Sequence, residues 1–417
     1  MCILKKKKVL VLSDHALSTS GVGVQTRHLI NGLLKKNEWT FRQFGAAMKH
    51  DNYDTVQVNE DFIIRPIDGF GNPELLRVTL ATEKPDLLLL FTDPRFFIWA
   101  WEMEDEIHQV CPIAYWHVWD NRPTPEFNKV LYESTDLVNC HSYLTYEMCK
   151  ELVPNKANFI PHALPGDVYR PLPASEVAKF KKQVLGQNRT DHFVVFWMNR
   201  NARRKRAGDL LWAWKEFMDR LESKHGTNKA SLLLHTDPVD REGQNLYEVA
   251  DMLGIRDSVV FSKDRLDFEQ INILHNISDT CINVSYAEGF GLTTLEAMQV
   301  GKPIIAVKTG GLTRQVVDHR NGTENGIGLD VELTTLVGSQ QVPYIYEDLV
   351  SHASIADAIE KMYEMGPDSR KNLGKKAKDY VDSEFNYQDT IDMWHDTMND
   401  TISNWKSRYQ PWTCKTL

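Results

Sequence analysis

Cys281-Ile-Asn-Val-Ser-Tyr-Ala-Glu288-Gly-Phe-Gly-Leu-Thr-Thr-Leu-Glu296-Ala-Met-Gln-Val-Gly-Lys-Pro303-Ile-Ile-Ala306 reads as strand, loop, helix, turn and strand. Cys281–Val284 is an apolar run of the length of a buried strand. Glu288-Gly-Phe-Gly291 places two glycines in three residues, which predicts an irregular backbone path. Leu292 to Val300 holds helix formers and no breaker, and Gly301 with Pro303 ends it in the order helices prefer. Ile304–Val307 is the next strand.

The chemistry follows from that order. A glycine loop lets a ligand approach the backbone, and the first N–H groups of a helix lack internal partners and carry the positive end of its dipole. A phosphate suits the start at Leu292-Thr293-Thr294. Glu288 in the loop and Glu296 in the second turn would repel that anion on contact. They are suited instead to hydroxyls on either side of it. Hydroxyls, phosphate, hydroxyls is the outline of a nucleotide sugar. The competing reading is a plain βα loop with two solvated glutamates.

Two glutamates with seven residues between them, around Gly-Phe-Gly, resemble the signature of glycosyltransferase family 4, retaining enzymes of the GT-B fold. The resemblance implies an α/β protein of two Rossmann-like, doubly wound domains facing across a cleft. It implies that Glu288 contacts the donor sugar and Glu296 the ribose, with Gly289, Phe290, Gly291, Leu292 and Thr293 along the donor. It extends over nearly the whole chain and is densest from about residue 192 to 330.

The bulk composition agrees with a globular enzyme. The 417 residues suggest two or three domains and are 42% hydrophobic and 25% charged. Net charge is −9; residues 1–172 carry 18 basic and 22 acidic side chains, a net of −4. Neither half is a basic module of the kind that binds nucleic acid indiscriminately. Six cysteines (Cys2, Cys111, Cys140, Cys149, Cys281, Cys414) form no Cys-x-x-Cys pair, as expected of reduced thiols in a cytoplasmic protein. The apolar run after Lys5–Lys8 is too short for a signal peptide or a membrane span.

In chain order, Val9–Leu12, then Gly21-Val-Gly23, then a helix from about Val24 to Leu34 make a Rossmann-like opening. It lacks the third glycine and the acidic residue of a dinucleotide site. By the family resemblance, Gly21 and Gly23 would lie against the donor diphosphate. Phe62–Ile64 and, after Lys84-Pro85, Asp86–Phe91 are strands. Phe96-Phe-Ile-Trp-Ala-Trp101 is read as core in preference to an acceptor platform. Pro112–Trp116 leads to His117 and Asp120 at a strand end, where open α/β sheets bind ligands. The resemblance places His117 beside the transferred sugar.

Asn158–Pro171 resembles the segment that closes the family's first domain, but Ala163 and Pro165 stand where the family has Gly and Asp, so no ligand role is carried over. The expected division is 1–172 as an acceptor-side domain, 173–385 as the donor domain, and 386–417 as a C-terminal helix returning to the first domain. That helix has one apolar face, formed by Ile391, Trp394, Met398, Ile402 and Trp405.

His192–Met198 is the first strand of the second domain. Asn199–Arg206 follows it, with Arg200 and Lys205 matching the family's diphosphate-binding Arg and Lys. Arg203, Arg204 and Arg206 are surplus to that pattern, facing solvent or an anionic acceptor. Ser262–Leu266 resembles the loop that holds the donor base, and Thr309-Gly310-Gly311 another loop near the diphosphate. With no Asp-x-Asp motif and no His/Cys cluster in the spacing, no metal site and no cofactor beyond the donor are expected.

The expected function is transfer of a sugar from a nucleotide-diphosphate sugar to an acceptor hydroxyl, with Glu288, His117, Arg200 and Lys205 as the catalytic set. The acceptor is a glycan, a small molecule, or hydroxymethylated cytosine in DNA. The last follows from a resemblance of the Trp116–Trp119 region to family members of large tailed phages, whose site of action would be the host cytoplasm. Two other classes fit the same architecture: a nucleotide-sugar epimerase and a non-catalytic nucleotide-sugar-binding protein.

Overall fold

The computed structural model describes residues 5–49 and 52–411. Its contacts divide the chain into two units. The first is Met1–Ala163 with Gly338–Pro343 and Tyr387–Leu417; the second is Leu164–Val337 with Tyr344–Asn386.

The first unit is built on β1 (Lys7–Asp14), β2 (Trp39–Ala46), β3 (Val56–Gln57), β4 (Phe62–Pro66), β5 (Leu87–Thr92), β6 (Ile113–His117), β7 (Leu137–Cys140) and β8 (Ala157–Phe159). They form one sheet in the order β3-β4-β2-β1-β5-β6-β7-β8. All pairs are parallel except β3 with β4. Residues 87–91 are continuously apolar because helices cover both faces of the sheet. β2 is hidden in the sequence by Arg42 and Gln43. Its Trp39 and Phe41 nevertheless bury in the core on one face of the sheet, and Phe44 in the core on the other. In the aromatic run, Phe97, Ala100 and Trp101 enter the core while Phe96 and Ile98 stay exposed.

The helix Tyr387–Arg408 belongs to this first unit. Ile391, Trp394 and Met398 pack with Trp39, Phe41 and Trp116 in one cluster. Trp39 Nε1 donates to His395 Nδ1 at 3.0 Å. Gly32 has no room for a side chain, since a Cβ there would lie 2.4 Å from Ile391 Cδ1.

The second unit holds β9 (Phe193–Met198), β10 (Ala230–His235), β11 (Val259–Ser262), β12 (Thr280–Asn283), β13 (Ile304–Val307), the short pair β14 (Val317–Asp318) and β15 (Thr323–Glu324), β16 (Gly326–Leu329), and the hairpin β17 (Leu333–Val337) and β18 (Ile345–Leu349). The six-stranded sheet runs β11-β10-β9-β12-β13-β16, all parallel. The chain steps outward one way from β9 and the other way from β12. The adjacent C-terminal ends of β9 and β12 are therefore a topological switch point, where a parallel sheet opens a crevice for ligands.

The division falls at Ala163/Leu164 and not at residue 172. Leu164 and Tyr169 lie in the second unit's core. The backbone N–H groups of Arg170 and Leu172 donate to Asn272 (3.1 Å) and Asn276 (2.8 Å). Prolines 165–173 therefore do not form a free linker.

Candidate functional site

The switch point of the second unit gathers the residues that decided the sequence reading. After β12 the chain turns through Val284–Gly291 into the helix Leu292–Gln299. Gly291 sits at φ +92°, and a Cβ there would come 2.5 Å from Leu312 Cδ2. The helix start has no side-chain cap. Gln315 locks the loop from behind, donating Nε2 to the carbonyls of Phe290 (2.7 Å) and Gly291 (3.1 Å) and accepting from Thr294 Oγ1 (2.6 Å). Gly311 presses on the same loop. Its N–H donates to Glu288 O at 2.9 Å, and a Cβ would lie 2.5 Å from Gly289 O. Thr293 Oγ1 donates to Met198 O at 2.9 Å and so ties the helix to the end of β9.

The basic turn after β9 faces this loop. Lys205 Nζ pairs with Glu288 Oε2, and both side chains are nearly enclosed. Asn283 Nδ2 and Ser285 Oγ reach the same oxygen at 3.3 Å each. Burial alone would raise the Glu288 pKa. The charges of Lys205 and Arg204, with the hydrogen bonds from Lys205 and Asn283, overcome burial and hold it at about 2. Arg204 donates to Ala287 O at 3.2 Å. Arg206 is buried, donating to Val350 O at 2.8 Å and pairing with Asp209. Arg203 pairs with Glu347, and both Arg203 and Arg206 lie over the Tyr286 ring. Of the arginines read as surplus, Arg206 is drawn inward by Val350 O and Asp209, while Arg203 and Arg204 stay exposed and touch Glu347 and Ala287 O.

Other expected site residues sit differently. Arg200 is mostly exposed and held by Asp240 in a two-pronged contact of 2.8 and 3.0 Å. Glu296 is buried and meets His275 Nε2 at 3.0 Å, because its helix face packs on the helix Phe268–Ile277 and not on the loop. In the first unit, Gly21 begins the helix Gly21–Leu34, whose N-cap Ser20 already accepts from Gly23 N–H at 3.0 Å. A Cβ on Gly23 would lie 2.2 Å from Ser18 Oγ. His117, expected beside the transferred sugar, is wholly buried; its Nε2 meets Tyr132 Oη at 2.8 Å. It is the last residue of β6, and its ring points into the core instead of past the strand end.

Sequence reasoning passed over Asn283, Ser285, His275 and Gln315. Asn283 and Ser285 lie in the 281–306 stretch itself, and the signal was two small polar residues closing an apolar strand. His275 and Gln315 lie about twenty residues from their partners and carry no local mark.

Residues 179–325 match the family of glycosyl transferases group 1. Among curated relatives, D-inositol 3-phosphate glycosyltransferase 2 of Catenulispora acidiphila is 38% identical over 82 residues, 20% of this chain and 19% of that protein. Trehalose synthase of Pyrococcus horikoshii is 30% identical over 132 residues, 31% of this chain and 25% of that protein. The chain therefore matches a quarter or less of the length of these relatives.

Solved structures match along nearly the full length. Sucrose-phosphate synthase from Thermosynechococcus elongatus superposes with TM-score 0.75 at 17% identity, over 95% of this chain and 100% of that one. Anabaena HepE, solved with UDP and glucose, gives 0.68 at 16%, over 94% and 100%. The fold is α/β of the GT-B type, with two Rossmann-like units. Among the described residues no helix is long and apolar enough to cross a membrane.

Proposed function

We propose that this chain is a retaining glycosyltransferase that moves a sugar from a nucleotide-diphosphate sugar to an acceptor hydroxyl. The observation that carries the reading is the enclosed Lys205–Glu288 pair beside the uncapped helix start at Leu292. The match of residues 179–325 to a family of sugar transferases supports it, as does the likeness in fold to a protein solved with UDP and glucose.

The donor diphosphate takes the amides at Leu292–Thr294 and draws Lys205 toward it. Glu288, released from Lys205, accepts hydroxyls of the sugar. The bond from the anomeric carbon to the diphosphate oxygen breaks, and the electron pair leaves on the phosphate. The acceptor hydroxyl adds on the same face, and its proton passes to the departing phosphate oxygen. Catalysis is placement and charge stabilisation. Arg200 joins the phosphates only by exchanging Asp240 for them. Glu296, oriented by His275, accepts the ribose hydroxyls. His117, closed in the core, is assigned no substrate contact.

Charge on the leaving group is met by Lys205 and the helix start, so transfer needs no divalent cation in the reaction. Activity with EDTA in the assay is expected to equal activity without it. Loss that Mg²⁺ or Mn²⁺ restores would overturn this part. The class itself is tested by incubating nucleotide sugars with glycans, small polyols and hydroxymethylated DNA, with the product anomer read by NMR. A product retaining the donor's configuration is expected. Isomerisation of the donor in the absence of any acceptor would make the protein an epimerase. Binding without turnover on any pair would leave it a binding protein.

A further inference from the structure

The first unit contains a second constellation of chemically active side chains, remote in sequence from the loop after β12. β6 and β7 are neighbouring parallel strands, and their last residues, His117 and Cys140, are register partners. The helix Tyr143–Leu152 follows β7 and brings Cys149 back over both strand ends. The ligating atoms of His117, Cys140 and Cys149 all lie within 4.8 Å of one another. All three residues are 0% exposed, as is Tyr132, whose hydroxyl lies 2.8 Å from His117 Nε2. Both cysteines are free thiols.

The spacing within the group has a specific meaning. Zn–N of about 2.0 Å and Zn–S of about 2.3 Å at a tetrahedral angle put the two ligand atoms about 3.5 Å apart. His117 Nε2 and Cys149 Sγ are 3.5 Å apart.

We propose that His117, Cys140 and Cys149, with the Tyr132 hydroxyl at the fourth corner, form a closed structural site for one Zn²⁺. Binding releases two protons, one from each thiol. His117 coordinates as neutral imidazole through Nε2, with its hydrogen on Nδ1. Two thiolates and Zn²⁺ sum to zero charge, which an enclosed apolar site tolerates. A monovalent soft cation would leave a buried negative charge. Thiolate and imidazole donors disfavour Mg²⁺ and Mn²⁺, which prefer oxygen. The ion would pin the helix Tyr143–Leu152 to the ends of β6 and β7. The site stands apart from the proposed transfer chemistry and does not depend on it.

The test is metal analysis of the full chain, purified with reductant and desalted into metal-free buffer. About one zinc per chain is expected in the wild type and in the control Cys111→Ser, and less than about a tenth of that in Cys149→Ser. Co²⁺ taken up in place of zinc should show a thiolate charge-transfer band and tetrahedral d–d bands, both missing in Cys149→Ser. If that variant does not fold, the wild type alone suffices. Titrating its thiols with a mercurial in the presence of a zinc indicator should release one zinc as the two site thiols react. A purified chain with no zinc that takes up no Co²⁺ would overturn the proposal. So would zinc retained in Cys149→Ser, or a Cys140–Cys149 disulfide in zinc-free protein made without reductant.

Discussion

The two units each place a glycine turn and a helix start after a strand at the middle of their sheet, and the two turns are finished differently. After β1, Ser20 caps the helix by accepting from Gly23 N–H, and Ser20 Oγ donates to the buried Asp14 at 2.6 Å. After β12, the helix start at Gly291 carries no side-chain cap, and an enclosed Lys–Glu pair stands in the same loop system. A capped start has already satisfied a donor that an anion would use. Similar glycine spacing in sequence therefore leads to a closed turn in one unit and an anion-ready one in the other.

The largest expected break in that contrast is at the charge pair. Lys205→Ala removes a fully charged partner in direct contact with Glu288 and should destabilise the fold by about 3 kcal/mol, read by urea unfolding. Glu288→Gln should keep the fold and nucleotide-diphosphate affinity while kcat falls roughly 100- to 1,000-fold. Steady-state kinetics paired with calorimetry separates the two. A Glu288→Gln variant with unchanged kcat removes Glu288 from the sugar.

Gly291→Ala comes next. A side chain at φ +92° that meets Leu312 should cost about 1–3 kcal/mol and weaken nucleotide binding. Gly21→Ala, exposed and outside the left-handed region, should stay within about 0.5 kcal/mol. Equal effects at the two glycines would erase the distinction between the turns.

The pair also predicts a pH dependence confined to the second unit's turn. Glu288 ionises at about 2 in the fold against a reference of 4.5. Its contribution is present above the unfolded value and is lost as pH falls from 4.5 toward 2. Wild-type stability should drop across that window more steeply than that of Glu288→Gln, by up to one additional proton in the slope. The smallest effect belongs to the closed turn. Ser20→Ala should cost about 1 kcal/mol of cap and leave nucleotide affinity unchanged. A large loss of affinity there would show that the first turn is an anion site after all.

Much of the second unit's framework around Glu288 is legible in the amino-acid sequence. β12, the Gly-Phe-Gly loop, the helix from Leu292 and β13 all fall where residues 281–307 put them. β2 is not legible, because Arg42 and Gln43 interrupt an apolar alternation whose partner strand lies thirty residues earlier. The hairpin of β17 and β18 escapes for the opposite reason. Leu333 and Leu336 are exposed, so no buried face marks it.

The sequence by itself determined where the backbone is regular and where it turns, since glycine, proline, caps and apolar periodicity act over a few residues. The tertiary structure decided which charges and donors meet. Lys205 and not Arg200 faces Glu288, although both stand in one basic run. Glu296 meets His275 across two packed helices, and Gln315 returns to brace Gly291. His117, Cys140 and Cys149 share no motif spacing, yet converge because adjacent parallel strands end in register and the next helix folds back over them. A side chain's partner depends on sheet order and helix packing between segments about 10 to 80 residues apart, and no local propensity carries that information.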